Sequence, residues 1–194
     1  MHMFGGLVGW LLAAAVVLIP TFFVGRYAQT RPPVLTSPRA KSGFGGVMWL
    51  FLAGQIGWLL TLVWQTAYMT SELWFMLARN SQTMQAAFVA VVPGLVSIII
   101  GVWVIWQIAA KRSPNAVAFA VVGVWLMGPC VAMLQSWYFG LALTELSLIQ
   151  LFGWSIGWSL YFALSPRVAL TYGTPRGKRI AEGLETQTPG LLDH

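Results

Sequence analysis

Charge is scarce in this chain: Asp, Glu, Lys and Arg make up 8% of its 194 residues, against about 25% in an ordinary soluble domain. A water-soluble fold could not clothe its surface from such a composition, so that class is excluded. One cysteine, Cys130, excludes an intrachain disulfide and a cysteine metal cluster. The two histidines, His2 and His194, stand at the two ends of the sequence. Neither an HExxH, a GxGxxG nor a GxxxxGK[ST] pattern occurs. The length is too small for a twelve-helix transporter, and no stretch between the apolar runs is long enough for a soluble catalytic domain.

What is present is apolar. Hydrophobic residues are 58% of the chain, including 11 Trp, 11 Phe and 5 Tyr, and the mean hydropathy is +0.73. This excess must face lipid. Five runs, each near the roughly 20 residues a bilayer crossing needs, extend over Phe4 to Gly25, Gly45 to Ala67, Ala86 to Ala110, Ala116 to Phe139 and Leu146 to Leu164. A membrane β-barrel would alternate polarity along each strand. Val96 to Ile105 does not alternate. The expected fold is therefore an all-α membrane bundle of five transmembrane helices. Met1-His2-Met3 lacks the basic residue of a signal peptide and the apolar stretch is too long for one, so the first run is expected to be a retained helix.

The positive charges orient this bundle. Arg26, Arg31, Arg39 and Lys41 follow the first run, Lys111 and Arg112 the third, and Arg167, Arg176, Lys178 and Arg179 the fifth. With five spans, ten of the eleven basic residues fall on one side and only Arg79 on the other. The positive-inside rule makes that side cytoplasmic, with the N-terminus outside and the C-terminus inside. The expected location is a bacterial inner membrane. Residues 1–25 form an extra N-terminal helix, 26–44 a basic loop, 45–173 a four-helix membrane domain and 174–194 a flexible cytoplasmic tail. The basic residues are expected to meet lipid headgroups rather than nucleic acid. Ser71 to Gln85 reads equally as a short interfacial helix or as a helix end and turn.

Ionisable groups within a bilayer are costly and usually functional. No Lys, Arg, Asp or His lies inside any of the five runs, which removes an intramembrane Schiff base and haem-ligating histidines. No catalytic residue, metal ligand or cofactor is expected. Polar and ligand candidates are few. Glu145, at the start of the fifth run, suits a helix N-terminal acid after Thr144, with a proton or cation site as its alternative. Gln55, Gln65, Gln107, Gln135 and Gln150 punctuate the runs, as packing partners across helix interfaces or as a polar pathway. Most tryptophans, Trp158 among them, fall near run ends as an aromatic belt, while Trp10, Trp58, Trp125 and Trp154 lie deeper, in core packing or around a cavity. Gly5-x-x-x-Gly9 and Gly153-x-x-x-Gly157 suit close helix packing. Pro129 makes the fourth span the one expected to bend.

Two short elements carry a resemblance. Gly43-Phe44-Gly45-Gly46-Val47-Met48-Trp49-Leu50 and Trp158-Ser159-Leu160-Tyr161-Phe162, the latter followed by Ser165-Pro166-Arg167-Val168, resemble the opening and closing segments of the bacterial membrane proteins grouped as domain of unknown function 2569, the YdgK-like proteins. Two residues separate Gly46 from Trp49 where that family usually has none, and Pro166 stands where it usually has Lys. The resemblance covers Ser42 to Gly173 and implies a four-helix inner-membrane fold, with no activity attached.

The expectation drawn from the sequence is a non-catalytic membrane protein that packs against other membrane-protein subunits as an accessory or assembly subunit. The alternative is a small transporter or a lipid- or quinone-binding module with a Trp-lined cavity.

Overall fold

Prolines and small polar residues punctuate this chain into helices. Pro32 and Pro33 follow the first helix, α1 (His2–Thr30), which runs through Pro20 without a break. The second and third, α2 (Val47–Leu77) and α3 (Met84–Ala110), are continuous over their full lengths. Three later helices begin at a Ser-Pro or Thr-Pro step, where proline's fixed φ and missing N–H suit the first turn. These are α4 (Pro114–Trp125), α7 (Pro166–Tyr172) and α8 (Pro175–Ala181). Between α4 and α5 (Val131–Phe139), Leu126–Cys130 is a turn of π-helix containing Pro129. The bend expected there thus takes the form of one widened turn. After Gly140, in a left-handed conformation, α6 (Glu145–Leu164) completes the long helices. The computed structural model describes residues 2–38, 40–77, 84–140 and 142–183.

Five helical segments are long and apolar enough to cross a membrane, α4, the π turn and α5 together forming one of them. No strand occurs among the described residues. Large apolar side chains cover the outside: Phe23, Trp64, Ile99, Trp137 and Ile149 are all exposed. Residues 71–77 continue α2, as an extended helix end rather than a separate interfacial helix, and residues 78–83 lie outside the described residues.

The buried core is concentrated toward one end. Met48, Phe51, Leu52 and Ile56 of α2 meet Val104 and Ile108 of α3, Ala116 and Ala120 of α4, and Trp158 and Phe162 of α6. Phe51 packs edge-on against Trp158 and Phe162, both with centroids 4.8 Å apart. Trp158 is therefore a core residue and not part of an aromatic belt. It is only 8% exposed because α6 turns its ring toward Phe51.

The same end gathers the positive charges, and α7 closes it. Val168, Ala169, Leu170, Thr171 and Tyr172 are all buried. Backbone N–H groups of Val34 and Leu35 donate to the carbonyls of Thr171 and Leu170 at 3.2 and 3.0 Å, tying the loop after α1 to this helix. The Tyr172 hydroxyl donates to the Ile108 carbonyl at 2.7 Å. Arg112 donates to the carbonyls of Ile108 and Ala28 while its guanidinium lies over the Tyr172 ring. Burial lowers the Arg112 pKa from the usual arginine range and raises that of Tyr172, which favours the neutral phenol.

Three of the basic residues expected at lipid headgroups are thus structural. Arg112 joins α1, α3 and α7. Arg167 lies against Gly45 and Gly46, where a β-carbon on Gly46 would come within 2.6 Å of its Nη1. Gly46 has φ +59, a left-handed conformation that favours glycine, whereas the Arg167 tip could move aside for a β-carbon. Arg176 donates to the carbonyls of Ala163 and Leu164, satisfying the last turn of α6. The expectation of an unordered tail from Thr174 is corrected in part: Thr174 caps α8 by accepting from the Gly177 N–H, and α8 packs on α7. Residues 184–194 lie outside the described residues, as do Arg39 and Arg79.

Candidate functional site

Beyond the tight basic end, the bundle opens. Two helical stripes face each other across this region. On α2 they are Gly54, Trp58, Thr61 and Gln65, spaced four, three and four residues apart; on α6 they are Ser147, Leu151, Trp154 and Ser155. Such spacings keep side chains on one helix face. Both stripes are mostly small, amide, hydroxyl or aromatic, on helices otherwise dominated by aliphatic residues. Between them, with Val124, Met127 and Gly128 as the back wall, lies a half-open cleft of about 1020 Å³. That volume lies at the upper end of the usual range for small-molecule sites, roughly 300–1,000 Å³.

The cleft has an inner and an outer end. Gln65 and Gln150 are exposed at its mouth, near the start of α6, and Gln55 and Ser155 are buried at its inner end. Gln55 to Gln65 spans ten residues of helix, about 15 Å at 1.5 Å per residue. The floor is aromatic. Trp154 lies across Gly54, and its ring packs on Trp158 with centroids 5.4 Å apart. Trp58 and Trp154 are each 39% exposed, so their ring surfaces are available along the cleft.

The π turn shapes the back wall. Widened turns of this kind are frequent at functional sites. Here it places Gly128 at the lining, where a β-carbon would meet Ser155 Oγ at 3.7 Å and Leu151 at 3.9 Å, both ordinary contacts. Behind it, Trp125 Nε1 donates to Ser159 Oγ at 3.0 Å and Ser159 donates to the Ser155 carbonyl at 2.7 Å. Trp125 also packs edge-on against Phe152. These contacts tie α4 to α6 and hold Ser155 in place.

Two oxygens at the inner end are buried without a hydrogen-bond partner: Gln55 Oε1 and Ser155 Oγ. The residues are 2% and 1% exposed. Burying such a group unpaired costs about 1–3 kcal/mol.

Of the residues singled out from the sequence, Gln55, Gln150, Trp58 and Trp154 are brought together around the cleft, with Gln65 at its mouth. Trp125 is a strut behind the wall rather than a lining residue. Gln135, on α5, lies away from the cleft. Glu145 is exposed in the first turn of α6, where Thr144 caps the helix by accepting from the Ser147 N–H, and it does not line the cleft either. The surroundings of Gly5, Gly9, Trp10 and Trp74 lie outside the described residues. Sequence reasoning missed Ser155, Thr61, Ser147 and the glycines of the wall. The facing stripes were the available signal, but each helix had to be read by face rather than by its scattered glutamines.

Gly153 and Gly157 do not serve packing inside the bundle, because a β-carbon at either would meet nothing within 4 Å. They sit on an outward face of α6 with Leu146, Ile149 and Leu160.

No protein-family model, curated protein or solved structure matches this chain.

Proposed function

We propose that this is a multi-pass protein of a bacterial inner membrane, with its basic end in the cytoplasm, that binds an amphipathic molecule from the bilayer in the cleft between α2 and α6. The carrying observation is the convergence on one half-open cleft of Trp58, Trp154, Gln55 and Gln150. The lining holds amides, hydroxyls and aromatic rings, groups that bind by shape and hydrogen bonding. Among the described residues it holds no carboxylate, imidazole or amine, so binding is better supported than acid–base chemistry. The resemblance to the YdgK-like proteins agrees with this location and adds no activity.

Native mass spectrometry of protein extracted in mild detergent tests the reading. The wild type should retain an amphiphile that Gly128→Leu loses, because a side chain at 128 grows into the cleft from a position with room for its β-carbon. Equal retention by both proteins would overturn it.

The outward Gly153 and Gly157 favour a second reading, an accessory subunit whose α6 packs against another membrane protein through this small-residue face. Crosslinking in native membranes from positions beside Gly153 should then capture a partner, and a consistently monomeric product would remove this reading.

A further inference from the structure

The cleft is polarised along its length, and we infer that it holds one acyl chain of a phospholipid from the leaflet away from the basic end, with the chain directed inward and the glycerol esters at the mouth. This deepens the reading of the cleft as a binding site and rests on it.

Depth is the first observation. The 20 residues of α6 make about 30 Å of helix, the thickness of the hydrocarbon layer of a bilayer. Ser155, at the inner end of the cleft, stands near the middle of α6, and Ser147, at the mouth, lies in its first turn. The cleft therefore runs from one edge of the hydrocarbon to about its midplane, a depth of roughly 15 Å, which is the share of one leaflet. An acyl chain of that leaflet extends over the same depth.

The lining changes along this depth. Gln55 and Ser155 are 2% and 1% exposed, and Gln55 Oε1 and Ser155 Oγ are sealed within the protein. What an occupant meets in the inner half is the ring surface of Trp58 and Trp154, with Leu151 beside them. Hydrocarbon fits such a surface, whereas a polar head lodged there would lose its water and find no partner. The accessible polar groups are in the outer half. The Thr61 hydroxyl donates to the Gly57 carbonyl at 3.0 Å, and the Ser147 hydroxyl is shared with Thr144 at 2.7 Å. The exposed amides of Gln65 and Gln150 remain as donors, which is what an ester carbonyl accepts. Among the described residues no charged side chain lines the cleft, so nothing draws the phosphate inward and it stays in water beyond the mouth.

The side of the cleft opens on the bilayer. α2 packs along α1 and α3, and α6 along α4 and the π turn. The ring contacts that join α2 to α6, Phe51 on Trp158 and Phe162 and Trp154 over Gly54, lie at the inner end or beyond it toward the basic end. Ile149 belongs to the lining and is also 68% exposed, on the outward face of α6. A chain can enter sideways through this seam while the second chain of the same lipid stays in the bilayer.

The test titrates dioleoylphosphatidylcholine, which has no net charge for the basic end to attract, into the protein in mild detergent and reads binding by native mass spectrometry. Wild type should bind it and Gly128→Leu should lose it. The double variant Gln65→Leu, Gln150→Leu, at two exposed positions, should melt as wild type does and bind about tenfold more weakly, the effect of two modest hydrogen bonds. Phosphatidylcholine with a diazirine at the end of one chain should, among the cleft residues, mark Trp58, Leu151 or Trp154, and these adducts should vanish in Gly128→Leu. Chain-end adducts confined to Thr61, Gln65, Ser147 or Gln150 overturn the inward direction of the chain. Undiminished binding by the double variant overturns the placement of the esters. Binding of decylubiquinone that Gly128→Leu abolishes, with no such binding of the phospholipid, overturns the phospholipid inference and leaves the cleft reading standing. Binding of both molecules that is indifferent to Gly128→Leu overturns the cleft reading itself.

Discussion

The indole of Trp154 lies across the bare backbone of Gly54, so close that a β-carbon on Gly54 would overlap the ring. This contact joins α2 to α6 at the floor of the cleft, and Trp154 passes it on to Trp158 in the core. Gly54→Ala should push the indole out of place at a cost of about 1–3 kcal/mol, the usual range for overpacking. The melting temperature in detergent should fall, and retention of the bound amphiphile with it. Adding Trp154→Ala should recover part of the lost stability. A double-mutant cycle in which the two effects simply add would show that the contact is not formed.

Glycines elsewhere on the bundle should sort by what surrounds them. At Gly177 a β-carbon would collide with the Ala169 carbonyl, a backbone atom that cannot move aside. Gly177→Ala should therefore undock α8 from α7 and expose residues 174–179 to proteolysis. Gly153→Ala meets open space and should leave the stability of the isolated protein within about 0.5 kcal/mol of wild type, as for other surface substitutions. Limited trypsin digestion beside thermal melting reads both.

Burial of Tyr172 creates a dependence on alkaline pH. Its pKa in the fold is raised by desolvation above the ordinary tyrosine value. The unfolded chain therefore ionises first, so the stabilisation is fully present below about pH 10 and is lost as pH rises from there toward the folded pKa. Tyr172→Phe removes the bond to the Ile108 carbonyl and should cost about 1 kcal/mol at neutral pH. It should also flatten the decline in stability between roughly pH 9.5 and 11 relative to wild type. Melting curves across that range, compared at each pH, check the sign.

Orientation can be tested with a thiol. In a Cys130→Ser background, single cysteines at Lys41, Lys111 or Lys178, all exposed at the basic end, should be shielded from an impermeant maleimide in intact cells and labelled after lysis. A cysteine at Ala142, exposed at the opposite end, should label in intact cells. The reverse pattern would invert the proposed topology.

The long helices were legible because their cause is local. Apolar runs such as Ala86 to Ala110 and Leu146 to Leu164 specify a helix without reference to the rest of the fold, whereas α1 continues past the expected end at Gly25 to Thr30, into the segment read as a basic loop, and α2 past Ala67 to Leu77. The π turn was only half legible: Pro129 announced a disturbance in the fourth span, but the extra residue is accommodated by packing against α3 and α6. Trp158 was misplaced because its position near the end of a run suits a headgroup belt, whereas its direction depends on Phe51, far away in the chain. Arg112 and Arg167 carry the charge bias of their loops and also bind backbone or fill space beside glycines. Charge patterning reads the first property and is blind to the second.

By itself the sequence determined the class and the segmentation of this protein. Scarce charge and long apolar runs, with ten of the eleven basic residues on alternate connections, are summed properties of single segments and survive without tertiary detail. The tertiary structure decided which polar residues share a place. Gln55, Gln150 and Ser155 lie on helices far apart in sequence, while Gln135 and Glu145 are nearer to some of them along the chain yet stand outside the cleft. Helix rotation set that outcome: the core contacts of Phe51 with Trp158 and Phe162 fix how α2 and α6 face each other, and so which stripes are turned toward the cleft.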